Sequence, residues 1–217
     1  MGSGVAEAEP PPDCSLCPRL KDFRDKNRLA HPDYFNDPVP TFGPRNARLL
    51  IVGLAPGLHG ANRTGRPFTG DYAGALLYGT LRKLRLARGN YDERADDGLE
   101  LIGCAITNAV RCVPPGNKPL PAEIHTCRQF LKSTIDKMAS LRVILSLGKI
   151  AHDSVSTALR LPRKDHVFAH GARRPHNGLM LFSSYHCSRL NTNTGVLTAE
   201  MFESIVSAAK RAAMRGE

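Results

Sequence analysis

The sequence predicts an α/β fold, a three-layer α/β/α sandwich around a mostly parallel central sheet. Short apolar, β-branched runs at 48–53, 101–110, 142–147 and 179–184 read as buried strands. Between them the apolar residues fall at helical spacing: Leu76, Leu77, Leu81 and Leu84 in one stretch, Ile124, Cys127, Leu131, Ile135 and Met138 in another. The two patterns alternate along the chain, and parallel strands need such crossovers to return to the same edge. At that edge every loop from strand to helix emerges, and open α/β sheets bind ligands there.

Taken in order, residues 1–12 are small, acidic or proline and read as a disordered tail. Residues 13–217 read as a single domain, because no internal repeat or low-complexity linker divides them. A short helix spans Arg19 to Arg28, and Pro32, Pro38, Pro40 and Gly43 then mark an extended segment leading to the first strand. A helix follows the third strand from Gly148 to Leu159. The chain closes on a helix opening near Thr198, with Met201, Phe202, Ile205 and Val206 on its apolar face.

The stretch Gly53–Asp71, GLAPGLHGANRTGRPFTGD, leaves the first strand and enters the first crossover helix. Its glycines let backbone N–H groups approach a ligand, while Pro56 and Pro67 restrict the chain. Loops longer than about 12 residues in compact domains are usually functional or disordered. Gly53-x3-Gly57-x2-Gly60 lacks both the dinucleotide fingerprint and the P-loop Lys-Ser/Thr, so no nucleotide cofactor is supported.

Thirty Lys and Arg against twenty Asp and Glu give a formal charge of +10, which favours a polyanionic partner, nucleic acid first. No run approaches the roughly 20 apolar residues of a membrane span, and no secretion signal opens the chain, so it reads as intracellular with no membrane partner. Six cysteines in such a chain argue for a metal site or buried thiols over disulfides. Cys14 and Cys17 form a C-x2-C pair, and Cys112 and Cys127 a C-x14-C pair. Four thiolates so spaced suit either zinc or an iron–sulfur cluster.

Asp71 precedes a helix, where a carboxylate ordinarily caps N–H groups. His186 lies beyond the last strand in a loop whose Ser188, Arg189 and Asn191 offer donors. His59, His152 and His170 have less context and read as structural.

GLAPG (Gly53, Leu54, Ala55, Pro56, Gly57), NRTGRPFTGD, TNAVRCVPPGNKP and SSYHCSRLNTNTG together resemble the uracil-DNA glycosylase superfamily, most closely its fifth, iron–sulfur family of bacteria and archaea. The resemblance runs from Cys14 through Phe202. It implies a uracil-DNA glycosylase-like fold and a 4Fe-4S cluster on Cys14, Cys17, Cys112 and Cys127. It implies hydrolysis of the N-glycosidic bond of uracil, and of bases such as hypoxanthine and ethenocytosine, in double-stranded DNA. Many relatives carry an acidic or amide residue where this chain has Leu54; the fifth family is apolar there and uses the Asp of TGD. On that ground Asp71 reads as catalytic, with Asn117 and His186. Phe68 is expected to stack on the extruded base above Gly53–Gly57, with Asn108 reading its edge. Arg63, Arg66 and Lys118 are expected at phosphates. Ser188 and Asn191 are expected at the DNA, with Arg189 and Leu190 wedged into the vacated space. A cytoplasmic monomer acting at the nucleoid completes the expectation. Cys187 stands where relatives often have Pro or Val, and some relatives have Ala in place of Asn108. Two competing readings are a metal-cluster DNA-binding module without catalysis and a small-molecule hydrolase.

Overall fold

A computed structural model describes residues 9–162, 164 and 166–214. In chain order its elements are α1 (Pro18–Ala30), β1 (Leu49–Gly53), α2 (Ala61–Thr64), α3 (Tyr72–Lys83), β2 (Ala87–Arg88), β3 (Glu100–Leu101) and β4 (Cys104–Asn108). They continue with α4 (Pro121–Lys137), β5 (Val143–Leu147), α5 (Lys149–Ala158), β6 (Arg173–His176), β7 (Leu179–Ser184), α6 (Arg189–Asn193) and α7 (Ala199–Met214). The central sheet has the order β4-β1-β5-β7-β6, parallel throughout except for β6.

Side-chain alternation along the strands builds both faces at once. Leu49 and Ile51 join Val143, Leu145 and Phe182 in one core, while Leu50 and Val52 join Ala105, Ile144 and Leu181 in the other. Helices α3 and α7 cover the first face, and α4 and α5 the second. In α7 the buried residues Phe202, Ile205, Val206 and Ala209 recur at helical spacing, so one stripe meets the sheet. Each large side chain so buried contributes about 1.5–3 kcal/mol.

The expected strand at 101–110 narrows to Cys104–Asn108, because Gly103 adopts a left-handed conformation just before it. Strand β6 was not legible: Arg-Arg-Pro-His is polar, and its proline is tolerated because the strand lies at the sheet edge. Of the tail read as disordered, residues 1–8 lie outside the described residues, and Glu9–Pro12 correct that reading. Glu9 accepts from the backbone N–H of Thr41 at 3.2 Å and from Arg111 Nη1 at 2.7 Å. Arg111 is fully buried, so this arm is fastened to the domain by a charge that needs it.

Candidate active site

Strands β1 and β4 end side by side, with Gly53 paired to Asn108. A Cβ at Gly53 would lie 2.5 Å from Asn108 Oδ1 and 2.5 Å from the Phe68 ring. The missing side chain therefore lets an amide and an aromatic face meet at the strand ends. Phe68 holds a left-handed backbone, φ 56°, which costs a non-glycine residue on the order of 1–3 kcal/mol unless its surroundings impose it. Here they do. The Tyr78 hydroxyl donates to Pro67 O at 2.6 Å, and the Tyr91 hydroxyl donates to Phe68 O at 3.3 Å. Gly74 in α3 has no room for a side chain, since the Phe68 carbonyl occupies that place.

Arg66, expected at a phosphate, is buried instead. Its guanidinium bonds both Asp97 oxygens at 2.8 and 2.7 Å and Thr69 Oγ1 at 2.7 Å, beneath the rings of Phe42, Tyr78 and Tyr91. Burial alone would raise the Asp97 carboxyl, but Arg66 and the N–H groups of Asp92 and Leu99 together hold it well below the usual range. The guanidinium is therefore committed to shaping the Pro67–Thr69 turn and corrects the DNA-binding expectation.

Asp71 caps α3, as a carboxylate in that position ordinarily does. Its Oδ1 accepts from Gly74 N at 2.9 Å. The other oxygen faces the turn of the central loop, where a Cβ on Gly60 would lie 2.9 Å from it and one on Gly57 3.5 Å. Capping thus occupies one oxygen and aims the second at the glycine turn. His186 stacks on Phe68 with ring centroids 5.9 Å apart. Burial lowers its basicity and the charge of Asp71 partly restores it, so the imidazole is neutral at pH 7.

The loop carrying His186 is fixed at both sides. Asn191 Nδ2 donates to His186 O at 2.8 Å, and Ser188 caps α6 by accepting from Asn191 N. The Cys187 thiol, fully buried, donates to Ala73 O at 3.6 Å and fastens the loop to the first turn of α3. Arg189 lies 5.5 Å over the Tyr72 ring, whereas Leu190 is 71 % exposed.

A model of the uracil DNA glycosylase superfamily matches residues 40–210. The chain belongs to the uracil-DNA glycosylase superfamily. It is 44 % identical over 206 residues to a type-5 uracil-DNA glycosylase of Thermus thermophilus, covering 92 % of this chain and 94 % of that one. It is 40 % identical to a type-5 enzyme of Mycobacterium leprae (92 % and 91 % covered) and 37 % identical to one of Pyrobaculum aerophilum (89 % and 86 %).

In this superfamily member the four cysteines of the C-x2-C and C-x14-C pairs converge. Cys14 and Cys17 before α1, Cys112 after β4 and Cys127 in α4 line one cavity with Leu20 and Phe130. Burial and then the charges of neighbouring groups raise the Cys17 thiol to about 11, and burial raises Cys112 to about 12. Arg19 bonds both oxygens of Glu123 at 2.8 Å, tying the arm to α4. Arg24, buried, donates to Cys14 O at 2.5 Å, and Arg111 N donates to Cys127 Sγ at 3.3 Å.

Asn117 occupies an exposed 3₁₀ turn, Pro115–Asn117, with φ 58°; among the described residues no hydrogen bond joins it to Asp71 or His186. Lys118 beside it is exposed, and its carbonyl accepts from Arg19. Arg63 Nε donates to His59 O at 2.8 Å, leaving its guanidinium against Gly70. Leu54, Ala55 and Pro56 line the loop between β1 and Gly57, with Leu54 O accepting from Val110 N at 2.9 Å. His152 is structural as expected, bonding Ser183 Oγ at 2.7 Å and His166 O at 3.0 Å. Tyr78, Tyr91 and Asp97 went unrecognised in the sequence, because nothing local marks a residue whose work is to brace a distant turn.

Proposed function

We propose that the pocket over Gly53 receives an extruded uracil and that Asp71 and His186 hydrolyse its N-glycosidic bond, leaving an abasic site in DNA. The chain is a uracil-DNA glycosylase of the type-5 kind and acts in DNA repair. The observation that carries the assignment of roles is the meeting of Phe68 and Asn108 at Gly53, with His186 stacked on Phe68 and the second oxygen of Asp71 facing the glycine turn that follows the strand.

A base inside the duplex is unreachable, so the nucleotide rotates out, at a cost of a few kcal/mol that is least for a mispaired base. Phe68 offers the stacking face and Asn108 an amide for the base edge. Leu190, prominent and apolar, suits the wedge that fills the vacated stack, while Arg189 stays on Tyr72. As the bond from C1′ to the base nitrogen breaks, its electron pair leaves with the base and positive charge develops on the sugar. Asp71 Oδ2 stabilises that charge and accepts the proton of the water that adds to C1′. His186, neutral and with one N–H, donates to the base oxygen on which negative charge grows. Ser188 and Asn191 hold the His186 loop against the DNA. Half-buried Arg63 and exposed Lys118 suit phosphate contacts, and Asn117 suits a contact made once DNA is bound.

The four cysteines fit a 4Fe-4S cluster. Four thiolates also suit a single tetrahedral zinc, and the choice of the cluster rests on the family resemblance. Four cysteine thiols around an otherwise apolar cavity supply the donor set of a cuboidal cluster. Such a cluster would cross-link the amino-terminal arm to α4 and the segment after β4, and its chemistry here is structural. Action on hypoxanthine and ethenocytosine, a monomeric state and a cytoplasmic location remain part of the proposal and draw on the family resemblance, while the formal charge of +10 suits nucleic acid. The chain has no helix long and apolar enough to cross a membrane among its described residues.

The deciding experiment is incubation with a uracil-containing duplex, followed by alkali to cleave abasic sites. Strand cleavage confirms glycosylase action. Tight duplex binding without cleavage favours the non-catalytic module, and neither favours the small-molecule hydrolase.

A further inference from the structure

Beside the pocket, on the outer rim of the central loop, three rings meet that the reaction does not use. His31, which ends α1, stacks on Tyr34 with centroids 4.5 Å apart and planes 13° apart. His59, from the central loop, stands edge-on to both at 5.7 and 6.0 Å. The Tyr34 hydroxyl lies 3.0 Å from His59 Nδ1. His59 is exposed, and His31 and Tyr34 are half-buried.

These rings do not hold the turn together; other residues do that. Buried Asn36 donates through Nδ2 to His31 O at 2.8 Å and Tyr34 O at 3.2 Å, and buried Asn62 donates to Asn36 Oδ1 at 2.9 Å. Backbone bonds from Phe35 N to Arg63 O and from Asn36 N to Asn62 O weld the turn to α2. On a turn already fixed by other bonds, the exposed ring of His59 and the half-buried rings of His31 and Tyr34 are free to meet a ligand.

Their place narrows the ligand. His59 immediately precedes Gly60, the glycine that Asp71 faces, and its carbonyl holds Arg63. A strand whose extruded nucleotide meets Asp71 at this glycine turn would have its neighbouring nucleotide within reach of the rim that His59 begins. A phenol is the better proton donor toward an imidazole nitrogen, so Tyr34 donating to Nδ1 keeps the His59 proton on Nε2, where it is free to donate to a phosphate oxygen. Stacked faces accept any base, and base–aromatic stacking is worth about 1–3 kcal/mol.

We propose that His31, Tyr34 and His59 form a second nucleotide site, a stacking platform with a phosphate donor, which takes the nucleotide adjacent to the extruded one. This rests on the assignment of the pocket to the extruded base. Tyr34 supplies the face, His31 supports it from behind, and His59 with Arg63 meets the phosphate.

The test places 2-aminopurine next to uracil in a duplex and follows its fluorescence and single-turnover base release at increasing protein concentration. Tyr34→Leu is expected to raise the half-saturating concentration about fivefold to tenfold, the loss of one stacked base, with the plateau rate falling less than twofold. The 2-aminopurine, quenched on the native protein, should regain its emission. Tyr34→Phe keeps the face and should keep the quenching. If Tyr34→Leu fails to fold, exposed His59→Ala carries the test with an expected threefold rise in half-saturation. Native binding and quenching in the variants overturn the platform, as does a lowered plateau at unchanged half-saturation. Fluorescence is read without chemistry, so absent base release by the native protein counts against the proposed function and leaves the platform decided by quenching.

Discussion

Asp71 and Gly60 face each other so closely that a methyl group on Gly60 would lie 2.9 Å from Asp71 Oδ2. The other oxygen is held at 2.9 Å by the N–H of Gly74. One carboxylate therefore serves as helix cap and as the charge facing the glycine turn, and the two duties are separable by substitution.

Asp71→Asn keeps the cap, since Asn and Asp cap helices about equally well, but removes the charge. Single-turnover release of uracil is expected to fall by about 10²-fold or more while duplex binding and the melting temperature persist. A native rate would pass the catalytic role to another residue. Asn117→Ala in the same assay shows whether that residue is Asn117.

Gly60→Ala adds a methyl 2.9 Å from Oδ2, closer than van der Waals contact, and the cap keeps the side chain from swinging away. We expect a tenfold or greater loss of rate at saturating enzyme with modest loss of stability. An active Gly60→Ala protein would show that Oδ2 has no fixed position in the reaction.

Tyr78→Phe leaves the ring in the core but withdraws the donor from Pro67 O. Pro67 O keeps only the longer bond from Thr69 Oγ1 at 3.3 Å, so losing the Tyr78 bond costs about 0.5–1.5 kcal/mol, and the left-handed turn at Phe68 loses its shortest brace. The expected result is a lower melting temperature with weaker 2-aminopurine quenching when the analogue replaces the extruded base. If Phe68 is the route of the effect, Tyr78→Phe and Phe68→Leu should combine less than additively in rate.

Stability should fall on acidification in two stages. Burial first, and then the neighbouring His152, Arg174 and His176, lower His166 to about 4, below its unfolded value near 6.5. The folded state therefore binds fewer protons, so its stability is complete above about pH 6.5 and declines as pH falls toward 4. Asp97, held low by Arg66, adds a loss only below the ordinary carboxylate value of about 3.9. Melting curves from pH 7 to 3 should show both stages, and His166→Gln should shrink the first, leaving the share of His186 and His170, which burial also lowers.

Protein purified without oxygen should be brown, with about four irons per chain and broad absorbance near ~400 nm. Cys17→Ser should lose iron and melt earlier, because the arm before α1 then depends on hydrogen bonds and ion pairs such as Arg24 to Cys14 O, Arg19–Glu123 and Glu9–Arg111. Colourless native protein holding one zinc would overturn the cluster.

The sequence by itself determined the layer architecture, because buried strands and amphipathic helices write their periods into the order of residues. It also marked the central loop, the cysteine pairs and the last-strand histidine, since Gly, Pro, Cys and His are chemically conspicuous where they stand. Spacing alone did not choose between metals, and a carboxylate before a helix reads as a cap whether or not it does more. Only the tertiary structure decided that Arg66 is a buried brace against Asp97 and not a phosphate contact, because an arginine looks alike in sequence whether its partner is solvent or a carboxylate thirty-one residues away. It likewise decided that Glu9 is anchored, that Cys187 fastens its loop, and that Phe68 meets Asn108 over Gly53. Each of these depends on a contact between distant segments, and such contacts exist only once the sheet has brought its strand ends together.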